Sequence, residues 1–242
     1  MSPMRMVWIA VFLAVLIWSG IAPKDFTTWC LEVFPAVAGA VVLWFTRERF
    51  PMTTLIYVLI LIHCVILMVG GHYTYAEVPL GEWLREMIDG SRNNYDKLGH
   101  FVQGFIPAMI TRELMIRLNV FNSAAWRNFF IVCFCLAFSA FYELIEWWVA
   151  LFSEEAADAF LGTQGYVWDT QSDMGWALFG AVLALAILGH WHDKQLQAHG
   201  YDVVTPNELY TILTSKVSDV VAVSDAVRSW LAENPERVDR SL

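Results

Sequence analysis

Residues Phe129 to Phe152 read FFIVCFCLAFSAFYELIEWWVALF. This run is long enough to cross a bilayer as one helix, for which about 20 apolar residues suffice. It also contains two carboxylates, Glu143 and Glu146. A charged side chain at membrane depth costs about 2.5–3.5 kcal/mol even on the most lenient scale. Such a segment raises the question of what Glu143 and Glu146 meet.

The rest of the chain supplies further apolar segments. Beside Phe129–Phe152, candidate spans are Met6–Ala22, Phe26–Phe45, Leu55–Val69, Leu98–Leu118 and Met174–His190. Leu98–Leu118 is the most polar, with His100, Gln103, Pro107, Arg112, Glu113 and Arg117 inside it. Composition agrees with a membrane assignment. Hydrophobic residues make up 57% and charged residues 16%, against about 45–50% and 25% in soluble domains. Tryptophan, of which there are 12, suits ring anchors at the two membrane interfaces. A net charge of −9 argues against a nucleic-acid partner. Met1–Ala22 has Arg5 before an apolar core but lacks a clear small-residue cleavage site, so it is expected to stay as an uncleaved helix. The four cysteines, Cys30, Cys64, Cys133 and Cys135, lie in apolar runs without a C-x-x-C pair and are expected to be small buried thiols rather than a disulfide or metal site.

The expected fold is all-α: a polytopic membrane protein with about six transmembrane helices in a domain over 1–193 and a cytoplasmic helical tail over 194–242. In the tail, Thr205, Pro206 and Glu208 make a helix start. Apolar residues then recur at helical spacing to Leu231, so 206–232 is expected to be an amphipathic helix or a broken pair of helices that packs against the inner ends of the spans, with protein docking as the alternative. Its polar face is mixed rather than basic, which argues against electrostatic lipid binding. Arg47 and Arg49 in one loop, and Arg117 and Arg127 around another, favour a cytoplasmic placement of those loops. Residues 153–173 carry Glu154, Glu155, Asp158, Asp169 and Asp173 and no Lys or Arg, which favours the outside. Both termini are then cytoplasmic, in a plasma membrane.

With that topology, polar residues from several spans share an outer layer. Asp96, His100 and Gln103 lie on one face of a helix by their i, i+4, i+7 spacing. Glu143 and Glu146 fall in the outer third of their span, Asp169 and Asp173 start the last one, and Glu32 lies about two turns into the second. His72, Tyr75 and Glu77 follow the third span and are expected at the outer surface. Ionisable groups in spans face the interior and pair with one another or mark a functional path. Four chemistries use such a set: a divalent metal site, a proton-sharing carboxylate pair, a proton or cation path, and a structural network that locks helices. In the metal version Asp96, His100, Glu143 and Asp169 are the expected ligands and Glu146 or Asp173 the general base, with Glu32, His72, Tyr75 and Gln103 lining the site. His190 and His192 are expected to anchor an interface with Trp191.

The strings HYTYAEVPLGEW, DKLGHFVQGF, ELIEWW and DTQSDMGWALFGA, in this order, resemble the YjdF-type bacterial inner-membrane proteins. The resemblance covers about Met6 to Asp193 and implies a multi-pass plasma-membrane protein; it carries no activity. A more distant likeness is to the VanZ-like membrane proteins, associated with the envelope and glycopeptide resistance. Their pattern is D-K-x-x-H, then E-x-x-Q, then an Asp four residues before an Asn. Here Asp96, Lys97 and His100 fit the first element, and Glu143 and Asp169 the others. Glu146 stands in the place of the Gln and Asp173 in that of the Asn, and each departure adds an acid. The leading expectation is an outward-facing acidic and histidine site, metal-dependent, that acts on or binds a lipid-linked or amphiphilic envelope component. A proton- or cation-coupled transporter and an assembly protein are the alternatives.

Overall fold

The computed structural model describes residues 3–87, 89–90, 92–121, 123–152 and 167–201, with residues 203, 229 and 232–233. Met1–Tyr201 forms one compact unit and Asp202–Leu242 a second. The acidic stretch 153–166 and nearly all of the amphipathic segment expected over 206–232 lie outside the described residues. Among the described residues there is no strand. The helices are α1 (Pro3–Gly20), α2 (Phe26–Thr46), α3 (Thr54–Tyr73), α4 (Pro79–Met87), α5 (Tyr95–Arg117), α6 (Ala124–Phe152) and α7 (Asp169–Ala198). Five of these, α1, α2, α3, α6 and α7, are long and apolar enough to cross a membrane. The short helix α4, within the loop after α3, has no counterpart in the expected spans.

Local chemistry sets the helix ends. Asp25 has extended backbone angles (φ −133°, ψ 124°), and its Oδ1 accepts the Thr28 N–H at 2.6 Å. That is the N-cap arrangement, which satisfies one otherwise orphaned donor of the first turn. The bond favours the carboxylate and holds Asp25 below its ordinary pKa. Helix α3 stops where Thr74 and Tyr75 adopt positive φ (58° and 54°) and the Tyr75 N–H reaches back to the Gly70 carbonyl at 2.9 Å. This turn folds the Tyr75 ring over Gly70, where a side chain on Gly70 would collide with it.

Packing divides into two halves that share α3. Phe12, Val33, Ala36, Cys64 and Met68 form the core of α1, α2 and α3. Ile56, Leu59, Ile106, Met109, Ile131, Cys135, Ala181 and Ala184 form the core of α3, α5, α6 and α7. The tightest pair is α5 with α7, which run parallel because α6 returns the chain between them. A Cβ on Gly104 would strike the Ala177 carbonyl, and one on Gly180 would strike the Phe101 carbonyl. Small residues at both contacts let the two backbones touch, the usual solution between helices where lipid is as apolar as the protein. Buried Ala108, Ala181 and Ala184 extend the seam. Outward faces are apolar: Phe34, Phe45, Ile17 and Val7 are among the most exposed large side chains, as expected of surfaces that meet lipid tails. All four cysteines are free. Cys64 and Cys135 are buried, whereas Cys30 and Cys133 are on the exposed faces of α2 and α6.

Two predictions test this account. Gly104→Leu and Gly180→Leu each force α5 from α7 and are expected to lower the melting temperature in detergent steeply, beyond the roughly 1–3 kcal/mol of ordinary overpacking. Gly175→Ala, which meets nothing within 4 Å, is expected to be neutral or stabilising by about 0.5–1 kcal/mol. Asp25→Ala is expected to cost about 1 kcal/mol at neutral pH. A depressed pKa means that the cap stabilises above the ordinary carboxylate range and weakens as pH falls through the lowered folded value. Melting curves of wild type and Asp25→Ala should therefore converge in acid.

Candidate functional site

Polar groups collect at both ends of α5, and the two collections differ in kind. At the end formed by the first turns of α5 and α7, the C-terminal part of α6 and the N-terminal half of α2, acids predominate. His100, 5% exposed, sits at the centre. Its Nδ1 lies 3.1 Å from Gln103 Oε1, so Nδ1–H donates to the amide oxygen and Nε2 faces the carboxylates. Nε2 is 3.5 Å from Glu143 Oε1 and 3.6 Å from Asp96 Oδ1, longer than a good hydrogen bond. Ligand atoms of Asp96, His100 and Asp173 lie within 4.8 Å of one another, and so do those of His100, Glu143 and Glu146. Glu143 Oε1 and Asp173 Oδ1 are buried and accept no hydrogen bond. Glu143 is 8% and Asp173 3% exposed. A buried carboxylate oxygen without a donor is costly, and Glu143 Oε1 is the one directed at the His100 imidazole.

The structure brings Asp96, His100, Gln103, Glu143, Glu146 and Asp173 together. Asp169 is held differently: Arg92 Nη1 donates to both its oxygens at 2.9 and 3.0 Å, and neither of the two ligand groups includes it. Lys97 Nζ donates to Ser172 Oγ at 3.1 Å. Glu32 joins from α2, where Tyr142 O–H donates to its Oε2 at 3.1 Å. Tyr142 was not among the expected site residues, although it directly precedes Glu143 and reaches across to α2. Tyr75 is buried rather than at the surface, because its turn tucks it between Gly70 and Gly99. His72 faces α1 instead: its Nδ1 is 2.9 Å from the Ser19 carbonyl oxygen and its ring lies 4.6 Å from that of Trp18. Beside it, Lys24 pairs with Glu77. Trp147 and Trp148 are exposed above the cluster.

The other end of α5 is a hydrogen-bonded network in which every acid is paired, although Arg117 Nε and the nearby Arg127 Nε are buried without a hydrogen-bond partner. Glu113, fully buried, accepts from Thr53 N–H (3.0 Å), Thr53 O–H (2.7 Å) and Arg117 Nη1 (2.9 Å). Its Oε2 also lies 2.9 Å from His192 Nε2. His192 Nδ1 meets Arg112 Nη1 at 2.9 Å, and Arg112 Nη2 donates to Asp193 at 2.5 Å. The expectation of His192 as an interfacial anchor is thus corrected: it is fully buried, while His190 and Trp191 are exposed. In a helix that runs from Asp169 to Ala198, His192 faces α5 and its two neighbours face outward. Arg112 and Glu113, adjacent within one apolar stretch, were a sign that other segments supply partners, and these are Thr53, His192 and Asp193.

A cavity of about 450 Å³ lies against the acidic end and continues away from it. Glu32, Tyr75, Asp96, His100, Gln103, Tyr142 and Glu146 form its polar end. Beyond them the walls are almost wholly apolar.

The family described as "Predicted membrane protein (DUF2238)" matches residues 4–194. The chain belongs to this family. It is 48% identical over 186 residues to the "Inner membrane protein YjdF" of Escherichia coli (strain K12), which covers 77% of this chain and 89% of the relative. No solved structure matches. The chain is accordingly a membrane protein of the YjdF family with multiple helical spans, and it is homologous to an inner-membrane protein.

The network around Glu113 predicts a structural role for its members. Glu113→Ala leaves Arg117 and His192 buried without their shared acceptor, and is expected to cost about 3–5 kcal/mol. Thermal unfolding of the purified variant in detergent measures this. An unchanged melting temperature would contradict it.

Proposed function

We propose that this protein is a six-span inner-membrane protein whose acidic and histidine cluster holds a divalent cation and binds an amphiphilic envelope component. The sixth span is α5. It has 23 residues, about 34 Å of helix, and is ringed by α3, α6 and α7, so its polar residues meet protein rather than lipid. Arg5, Arg47, Arg49, Arg112, Arg117, Arg127 and Lys194 gather at the end away from the cluster. Lys24, Arg85, Arg92 and Lys97 remain at the acidic end. This imbalance supports a cytoplasmic basic end, an outward-facing cluster and both termini inside.

The observation that carries the cation is the orientation of His100. Gln103 Oε1 accepts the hydrogen bond from Nδ1–H, as the outer partner of a metal-binding histidine does, and leaves Nε2 directed at Asp96 and Glu143. Two atoms each about 2.0–2.6 Å from one ion lie at most about 5 Å apart, so either group of three fits a single cation after small side-chain movements. Glu143 Oε1 and Asp173 Oδ1, buried without donors, would gain a partner. His100, Glu143 and Glu146 form one ligand set, with Asp173 then placed to take a proton; Asp96, His100 and Asp173 form the other, with Glu146 in that role. Asp169, engaged by Arg92, serves as an outer support rather than a ligand. The apolar walls beyond Gln103, broken by His63 and Thr46, favour a hydrocarbon occupant over a hydrated ion path, and so favour this reading over a transporter.

Equilibrium dialysis of the purified protein against Zn2+, Mn2+ or Mg2+, followed by elemental analysis, tests the proposal. Wild type is expected to retain a divalent ion. His100→Ala and Glu143→Gln are expected to lose it, and Gln103→Leu to weaken it about 10–100-fold. Wild type that retains none of the three ions, or His100→Ala that retains as much as wild type, would remove the cation from this reading.

A further inference from the structure

The cavity beside the cluster has a direction. On α2 its lining runs from Glu32 through Pro35, Gly39 and Val42 to Thr46. That distance is about 21 Å at the helical rise, roughly the reach of a sixteen-carbon chain. On α5 it runs in parallel from Asp96 through Pro107 and Ile110 to Leu114. The charged groups lie at one end. Water in the long arm would find few partners, since a buried water needs 2–4 polar groups.

The cavity also has a mouth, and the mouth is in the membrane. Helix α2 makes its main packing contact with α3, while α6 packs on α5 and α7. The two helices therefore stand on opposite sides of the opening. Val42 on α2 and Phe138 on α6 both line the cavity and yet are 60% and 41% exposed. They belong at once to the interior wall and to the apolar outer surface of two spans. At the polar end the gap is bridged by Tyr142 donating to Glu32. Lower down, Gly39 has no atom within 4 Å of where a Cβ would lie, so the slot is open beside it. Pro35 and Pro107 line opposite walls, each lacking the N–H that would continue the helical ladder.

We propose that a long-chain membrane lipid enters this slot sideways between α2 and α6. One hydrocarbon chain lies along Gly39, Val42, Ile110 and Leu114, and the head group rests against the acid and histidine cluster. This inference rests on the reading of the cluster as an amphiphile site and adds the class of ligand and its route: a bilayer lipid, delivered laterally. The Tyr142–Glu32 bond closes the slot at the level of the head group and has to open as the head passes.

The test uses full-length protein in nanodiscs of phosphatidylethanolamine and phosphatidylglycerol. A fraction of the phosphatidylethanolamine carries a diazirine midway along one acyl chain. After irradiation, mass spectrometry maps the adducts. Adducts are expected on the wall of the slot, at Ile110, Leu114 and Leu67 as well as at the rim, and are expected to fall several-fold in Gly39→Trp, which fills the slot without touching the cluster. Val42→Trp at the mouth is the second variant, used if Gly39→Trp does not accumulate as folded protein. Adducts confined to outward faces such as Val7 and Ile17, or wall adducts unchanged in both variants, would overturn lateral entry. The same samples are assayed for bound divalent ion. An ion retained with no wall adducts overturns this inference and leaves the cation site standing; wall adducts without an ion support the lipid slot and remove the cation.

Discussion

A helix that carries Asp96, His100, Gln103, Arg112 and Glu113 can sit at membrane depth only inside a sheath of other helices. The whole bundle follows from that requirement. Helix α7 is drawn against α5 until backbones touch at Gly104 and Gly180. Helix α3 covers a second side, and α6 a third. What remains is the side towards α2, where contact is replaced by a cavity. The polarity of α5 and the apolar exterior of α1, α2 and α6 are thus two aspects of one arrangement, in which the outer helices present apolar faces and the polar helix is packed against α3, α6 and α7.

The two ends of α5 show how differently buried charge can be handled. Glu113 is surrounded by donors from α5, α7 and the loop before α3, and both its oxygens are engaged. Each acid there has basic partners, and the network locks three segments together. At the opposite end, Glu143 and Asp173 have oxygens with no donor, and carboxylates outnumber the cations near them. Helix locking explains the first set and leaves the second unexplained. That difference, with buried carboxylate oxygens left unbonded beside His100, is what the proposal of a bound cation is built on.

Much of this was legible in the sequence because helical spacing is a strong constraint. The i, i+4, i+7 pattern of Asp96, His100 and Gln103 placed three side chains on one face, and the end-to-end order of the spans placed Glu143, Glu146 and Asp173 at the same depth. What spacing does not encode is which neighbour a side chain turns to. His72 is near the right depth but on the α1 side of α3, so it bonds Ser19. Asp169 is at the right end of α7, yet Arg92 from the preceding loop reaches it first. Tyr75 read as a surface residue because the left-handed turn at Thr74 and Tyr75 carries no sequence mark such as glycine. His192 read as an anchor for a similar reason: GHWHDK gives no sign of which of its rings faces α5.

The place of the cavity couples the charge argument to the lipid argument. A cation site open only to water would be met by soluble ligands, and its walls would need polar groups throughout. Here the polar end is short and the apolar arm long, and the arm opens through Val42 and Phe138 onto surfaces that face the bilayer. A hydrocarbon chain leaving lipid for this slot gives up almost no hydrophobic stabilisation, because the two surroundings are equally apolar. For the proposed lipid, selectivity then cannot come from the chain. It would come from the head group, at the end of the slot where His100, Asp96, Glu146 and Glu32 stand together.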